Sequence, residues 1–190
     1  MAEITITKKL EDLQKVFDKA KRVLLSTTPN IDLEDLSSLA VELPVLEDSF
    51  NYDSGAASID YIKLTTGQRW ASYTTAGDPD ISMQVASVDG SITDIFLNKK
   101  GSAVTMTNTI DGKTFTGQGY STEIKKVNGA LLLLSEDGTQ LIALPNVEMY
   151  ANAVIEGGTP AYFNVQIMPK ANSDGADIIL LEGAVTPVTP

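Results

Sequence analysis

The sequence predicts a mainly β protein: a β-sandwich or partly closed barrel with a short flanking helix, preceded by an N-terminal helical extension. Three observations predict it. The stretch VNGALLLLSEDGTQLIALPNVEMY, Val127 to Tyr150, sets two short apolar runs around an Asp-Gly step. That is the pattern of a β-hairpin whose two faces are both mostly covered. Asp-Gly, Asn-Gly and Gly-Gly steps separate alternating runs through the second half, and these are the strongest short-range hairpin signals. One helical segment interrupts the strands, which suits a sheet flanked by a helix. A helix competes for the four leucines Leu131 to Leu134. The run is too short for one, and Gly129 and Pro145 bracket it.

The order of elements begins with residues 1–43, the helical extension. Leu10, Leu13, Val16, Phe17, Ala20, Val23 and Leu24 recur at helical spacing on one face. Glu11 with Lys15 and Asp18 with Arg22 stand at i,i+4 on the wet side. Lys19, Lys21 and Arg22 then lie where the helix dipole favours cations. A second, shorter helix is signalled by Asp32 as its N-cap, with Ile31 and Leu36 as a hydrophobic staple. Leu33, Leu36 and Leu39 continue its stripe to Pro44. Such helices cover their own core or dock a neighbouring subunit.

Residues 44–190 form the β-domain. Leu46 to Pro79 is polar and extended, with a turn at Gly67: a long hairpin or a loop with a purpose. Ile81, Met83 and Val85 alternate as a strand. Ser91 to Lys100 reads as the flanking helix, with Ser91 as cap, Ile92, Ile95 and Phe96 facing inward, and Gly101 as its stop. A meander follows. Val104 to Ile110 and Thr114 to Ile124 are strands joined at Asp111-Gly112, and Asn128-Gly129 turns into the central hairpin. Val147 to Ile155 alternates, Glu156-Gly157-Gly158 turns, and Phe163, Val165 and Ile167 alternate again. Asn172 to Gly175 turns into a last strand, Ile178 to Leu181. The tail VTPVTP is extended.

Chemistry is sparse. The chain has 190 residues, no histidine and no cysteine. Thiolate catalysis, cysteine zinc sites and histidine general bases are excluded. Asp78 and Asp80 flank a proline in a turn and are not a glycosidase pair. Asn172 to Asp177 lacks the alternating acids and the glutamate of a calcium loop. Gly117-Gln118-Gly119 lacks the lysine of a phosphate loop and reads as a kink in a strand. Trp70 with Tyr61 and Tyr73 is either a sugar-stacking platform or the aromatic side of a half-buried strand; the second is favoured. No catalytic, cofactor-binding or metal site is expected, and no enzyme. The net charge of −11 argues against a nucleic-acid binder. No apolar run reaches membrane-span length, and no secretory h-region opens the chain. A bacterial-type cytoplasm, or an object assembled there, is the expected compartment.

From about Leu43 the chain resembles the tail tube proteins of tailed bacteriophages. The passages that carry the resemblance are GDPDISMQVAS, Gly77 to Ser87, the following helix Ser91 to Lys100, GALLLLSEDGTQLIALPNVEMYANAVIEG and PAYFNVQIMPKANSDGAD. The resemblance implies a structural virion protein. Six copies close a ring, rings stack into a hollow tube, and the double-stranded genome leaves through it. Its partners would be copies of itself and other tail proteins, with DNA as non-adhesive cargo and no membrane. Its place would be the phage tail, assembled in the host cytoplasm. The family has no invariant motif, so no site residue carries over. The N-terminal helices lie outside the pattern, which leaves a tail terminator, head–tail connector or capsid decoration protein open. A carbohydrate-binding or adhesive β-sandwich is the alternative of another class, and a carboxylate-only glycosidase ranks last.

A conduit should not hold its cargo, because each cation on a phosphate adds affinity through counterion release. The strand faces bearing Glu148 and Asn152, and Asn164 and Gln166, have the acidic to neutral character a lumen needs. The long segment Leu46 to Pro79 is a candidate arm toward the next ring, and exposed strand edges can continue the sheet into a neighbour.

Overall fold

The computed structural model describes residues 17–34, 41–86 and 89–183. The strands are β1 (Ala20–Ser26), β2 (Val41–Leu43), β3 (Asn51–Asp53), β4 (Ser58–Lys63), β5 (Arg69–Thr75) and β6 (Asp80–Val85). The helix α1 (Gly90–Phe96) follows, then the short β7 (Asn98–Lys99), β8 (Val104–Thr105), β9 (Thr116–Gly117) and β10 (Tyr120–Ser121). The long strands β11 (Lys126–Ser135), β12 (Gln140–Val154) and β13 (Tyr162–Pro169) come next, and β14 (Ile179–Glu182) ends the described chain. The described residues are mainly β, a sheet curled into a half-barrel with a single short helix among them.

Eight strands share one sheet in the order β2-β1-β11-β12-β13-β6-β3, with β14 beside β12. All its pairings are antiparallel. The β11–β12 hairpin is its centre, as the leucine run predicts. Leu131 and Leu133 point into the main core with Val23, Leu25, Met149 and Phe163. Leu132 and Ala130 point the other way, into a smaller cluster with Ile31 and Ala143. Both faces of this strand are therefore dry, and continuous apolar character follows from that. The turn at Ser135–Gln140 is fixed by Asp137. Its carboxylate accepts from the Ser135 hydroxyl at 2.6 Å, and from Thr139 N at 2.9 Å and Oγ1 at 2.7 Å. Those bonds hold its pKa down to about 2, and Gly138 takes the positive φ of 72°.

The expected N-terminal helix does not extend over Ala20–Ser26, which form a strand paired with β11. Leu10, Leu13 and Val16 lie outside the described residues. Arg22 does not pair with Asp18; it reaches across to Glu42 with two hydrogen bonds of 2.8 and 2.9 Å. Lys19 bonds Glu47 at 2.9 Å. The strand wins because Val23 and Leu25 bury fully against β11, a tertiary gain that local helical spacing does not report. Asp32 does accept from Glu34 N, at 2.9 Å, and the rest of the second expected helix, 35–40, lies outside the described residues. β2 joins the same sheet through β1.

Helix α1 is capped by Asp89, whose side chain accepts from Ser91 N, and not by Ser91. It ends at Phe96, so Lys99 sits in a strand and not in a last helical turn. Ile92 and Phe96 are buried, and the Phe96 ring stands 5.5 Å from that of Phe163. Lys125 Nζ donates to Asp94 O at 2.7 Å and Leu97 O at 3.3 Å, satisfying carbonyls at the helix C-terminus. Tyr120 donates its hydroxyl to Asp94 Oδ1 at 2.7 Å and Lys99 pairs with Oδ2 at 2.6 Å. These contacts pin the segment of short strands onto the helix. They also lower the Asp94 pKa, the Lys99 bond foremost.

Two further expectations are corrected. Asn128-Gly129 is not a turn; it lies inside β11, opposite Glu148 and Val147. The expected strand over Thr114 to Ile124 is reduced to β9 and β10, separated by Gln118 and Gly119. Gln118 Nε2 donates to Lys100 O and Gly101 O, at 3.2 and 3.0 Å.

Candidate functional site

The half of the main sheet built from β12 after Asn146, β13, β6 and β3 has one core face and one polar face, and a bulge makes it so. Gly129 pairs with Val147, and Leu131 with Leu144. Two residues of β12, Pro145 and Asn146, therefore oppose Ala130 alone. The extra residue shifts the alternation of β12 by one. Before it, Ile142 and Leu144 face the main core; after it, Val147 and Met149 do. Without the bulge Glu148 and Tyr150 would point into the core. Proline suits this place because β12 changes neighbour here, from β14 at Gln140–Ala143 to β13 from Val147 onward.

The polar face is read off the register. Asn152 pairs with Asn164, and Asn164 with Gln84. Tyr150 pairs with Gln166, Gln166 with Ser82, and Ser82 with Asn51. Glu148 pairs with Asn128 on one side and Met168 on the other. The four residues singled out from the sequence, Glu148, Asn152, Asn164 and Gln166, thus share one face of β12 and β13. Alternation in two strands carried that reading. Sequence reasoning missed that Ser82, Gln84 and Asn51 extend the same face through β6 and β3, since strand order is not encoded locally.

The four are not equivalent. Asn152 and Gln166 are exposed and Asn164 is half-buried, whereas Glu148 is only 8% exposed. Lys126 and Lys170 both place Nζ on Glu148 Oε1, and Tyr150 donates its hydroxyl to Oε2 at 3.3 Å. The two lysines, Lys126 foremost, pull the Glu148 pKa down to about 2. Glu148 is thus a shielded anchor between strands and not an open acidic lining group. Asp53 and Asp80, paired across β3 and β6, also lie on this face. With Glu148 they set three acids against Lys126 and Lys170, a net −1 on a surface otherwise mainly of amides and hydroxyls, with Met168 exposed among them.

The second feature is an arm. β4 and β5 pair with each other in a separate two-stranded sheet, and every residue of both is exposed. Trp70, expected on a half-buried strand, is 69% exposed. Tyr61 pairs with Ser72 and Asp60 with Tyr73, so the two tyrosines occupy opposite faces of the hairpin. Arg69 covers the Tyr61 ring at 4.1 Å. The three aromatics do not form one open platform. At the neck, a Cβ on Gly77 would stand 2.5 Å from Ala56 O, and one on Gly55 equally close to Asp78 O. The two chains of the neck touch backbone to backbone, which only glycine permits.

Chemistry of other kinds is thin among the described residues. No group of three or more potential metal ligands occurs there. Asp80 opens β6, and Asp78 precedes it in the neck. Asn172 Oδ1 accepts from Asp174 N and Ala176 N, both at 2.9 Å, making the turn by itself. No helix of the described residues is long and apolar enough to cross a membrane. No known family model matches the chain, and no curated protein matches it.

Proposed function

We propose that this chain is a structural virion protein that assembles with copies of itself into hexameric rings, which stack into a phage tail tube. On this reading it has no catalytic role, its partners are its own copies and other tail proteins, and DNA passes through as non-adhesive cargo. The observation that supports it best is the polar face of β12, β13, β6 and β3. A near-neutral surface mainly of amides and hydroxyls, whose lysines are held by Glu148, offers phosphates little to bind. The chain after β2 closes back on β6 through the Val45–Val85 bridge, while β3 and β14 each keep a strand neighbour on one side only among the described residues. Such edges accept a strand from another copy. Head-to-tail contacts of this type close a ring or run on as a filament. Sedimentation of the purified chain over rising concentration tests it: a hexamer and its multiples are expected, and monomer at every concentration contradicts it.

The exposure of Trp70, Tyr61 and Tyr73 favours a second reading, a carbohydrate-binding module. Sugar platforms need aromatic rings open on one side, and here the tyrosines face opposite ways with Arg69 over one of them. Micromolar binding on a glycan array, abolished by Trp70→Ala, would support that reading against the first.

A further inference from the structure

An arm that stands clear of its own domain with apolar groups on both faces needs a receptor. Ile59 and Tyr61 lie on one face of the β4–β5 hairpin, Ile62 and Tyr73 on the other, and Leu64 begins the tip. A two-stranded hairpin is at best marginally stable alone in water. At six residues per strand it projects about 20 Å. It is also electrically distinct. Ser58–Thr75 carries Asp60, Lys63 and Arg69, a net +1 in a chain of −11.

The complementary surface lies elsewhere on the molecule. Two adjoining clefts, of about 490 and 410 Å³, share Phe17, Tyr52 and Ile142. Ile178, Leu180 and Leu181 complete the apolar wall of the second. Leu180 is 70% exposed on β14, and β14 is paired on the β12 side only among the described residues. Among the described residues, the first cleft is lined by Asp18, Glu47 and Asp48 against Lys19, an excess of two negative charges even with Lys19 paired to Glu47 and Asp48 at 2.9 and 3.6 Å. The clefts have the size of ordinary ligand grooves. An aromatic, cationic tip fits an apolar groove with an acidic rim in both shape class and charge.

We propose that the β4–β5 arm of one copy docks its tip, with Trp70 and Leu64, into the groove between Phe17 and β14 of a second copy. Lys63 and Arg69 then face Glu47 and Asp48 across the rim. The proposal rests on the self-assembly reading and names the contact that carries it. Patch and receptor are different surfaces, so the contact is heterologous and propagates from copy to copy.

The chain has no native cysteine, so single thiols can be placed cleanly. Thr66→Cys at the tip and Gln140→Cys in the groove, made in separate chains, are mixed and oxidised. Mass spectrometry of linked peptides should find the Thr66–Gln140 link between chains, and far less of a Thr66–Ile155 link when Ile155→Cys replaces Gln140→Cys. The pair K63E/R69E should weaken association by about tenfold or more, and E47K/D48K in the partner copy should restore it. Rings or tubes without the Thr66–Gln140 link would overturn the docking and leave self-assembly standing. Equal linking to Ile155 would overturn it too. No link and no association of any kind would overturn both.

Discussion

Gly129 of β11 lies directly against the backbone of Ser26 in β1: a Cβ at position 129 would collide with the Ser26 carbonyl oxygen. The glycine lets the two strands close up where the β12 bulge bends the sheet. Neither partner is the end of a flexible side chain, so the clash cannot be relieved locally. Gly129→Ala should destabilise the fold by about 1–3 kcal/mol, as overpacking does. Gly157, with open space around it, provides the control: Gly157→Ala should change stability by less than about 0.5 kcal/mol. Urea unfolding midpoints of the two variants check this.

Glu148 and Asp137 should govern acid stability. Both have folded-state pKa values of about 2, below their ordinary 4.5 and 3.8. A depressed acid stabilises the folded chain above its unfolded pKa, and that stabilisation is lost as pH falls through the folded value. The window therefore runs from about pH 4.5 down to about 2. Thermal midpoints of the natural chain should fall steeply across it. E148Q and D137N should each start lower at neutral pH and lose less on acidification. An unchanged slope in both variants would show that other carboxylates control the acid limb.

What could be read from the sequence follows what is local. Asp137-Gly138, Asp111-Gly112 and Gly157-Gly158 turn where their composition says, because turn chemistry is decided within a few residues. The alternation of Phe163, Val165 and Ile167 and the double-sided burial of Leu131 to Leu133 were equally visible. Ala20–Ser26 reads locally as helix because three apolar residues in a row fit a helix stripe as well as a strand, and only β11 arbitrates. Asn128-Gly129 has the composition of a turn, but its glycine serves a close approach to another strand. The groove at Phe17 and β14 gave no sequence signal: its walls come from residues more than a hundred positions apart. Aromatic strands usually have a sheet behind them, which is why the sequence puts Trp70 on a half-buried strand; the arm has none.

Trp70 is the only tryptophan in the chain and sits on the arm. Its fluorescence therefore reports the arm alone. Dilute protein should emit at the long wavelength of a hydrated indole, and the emission should shift to the blue as concentration rises and the ring is covered. Trp70→Ala should leave the unfolding free energy within about 0.5 kcal/mol of the natural chain while weakening association. Emission independent of concentration would place the arm outside every contact between copies.

Phe163 joins the sheet to its helix through Phe96. Phe163→Ala should cost about 3–5 kcal/mol and loosen α1 together with the Tyr120–Asp94 contact. Amide exchange should show protection lost first in 90–97. Uniform loss across β11 and β12 instead would show that the helix is not a separate layer of stability.

The central claim is that this chain acts through surfaces it offers to its own copies. Negative-stain electron microscopy of the purified chain at high concentration tests it most directly. The account predicts rings of six subunits with a central hole, and stacked rings or short tubes among them. A field of uniform single particles, with neither rings nor tubes at any concentration, would contradict it.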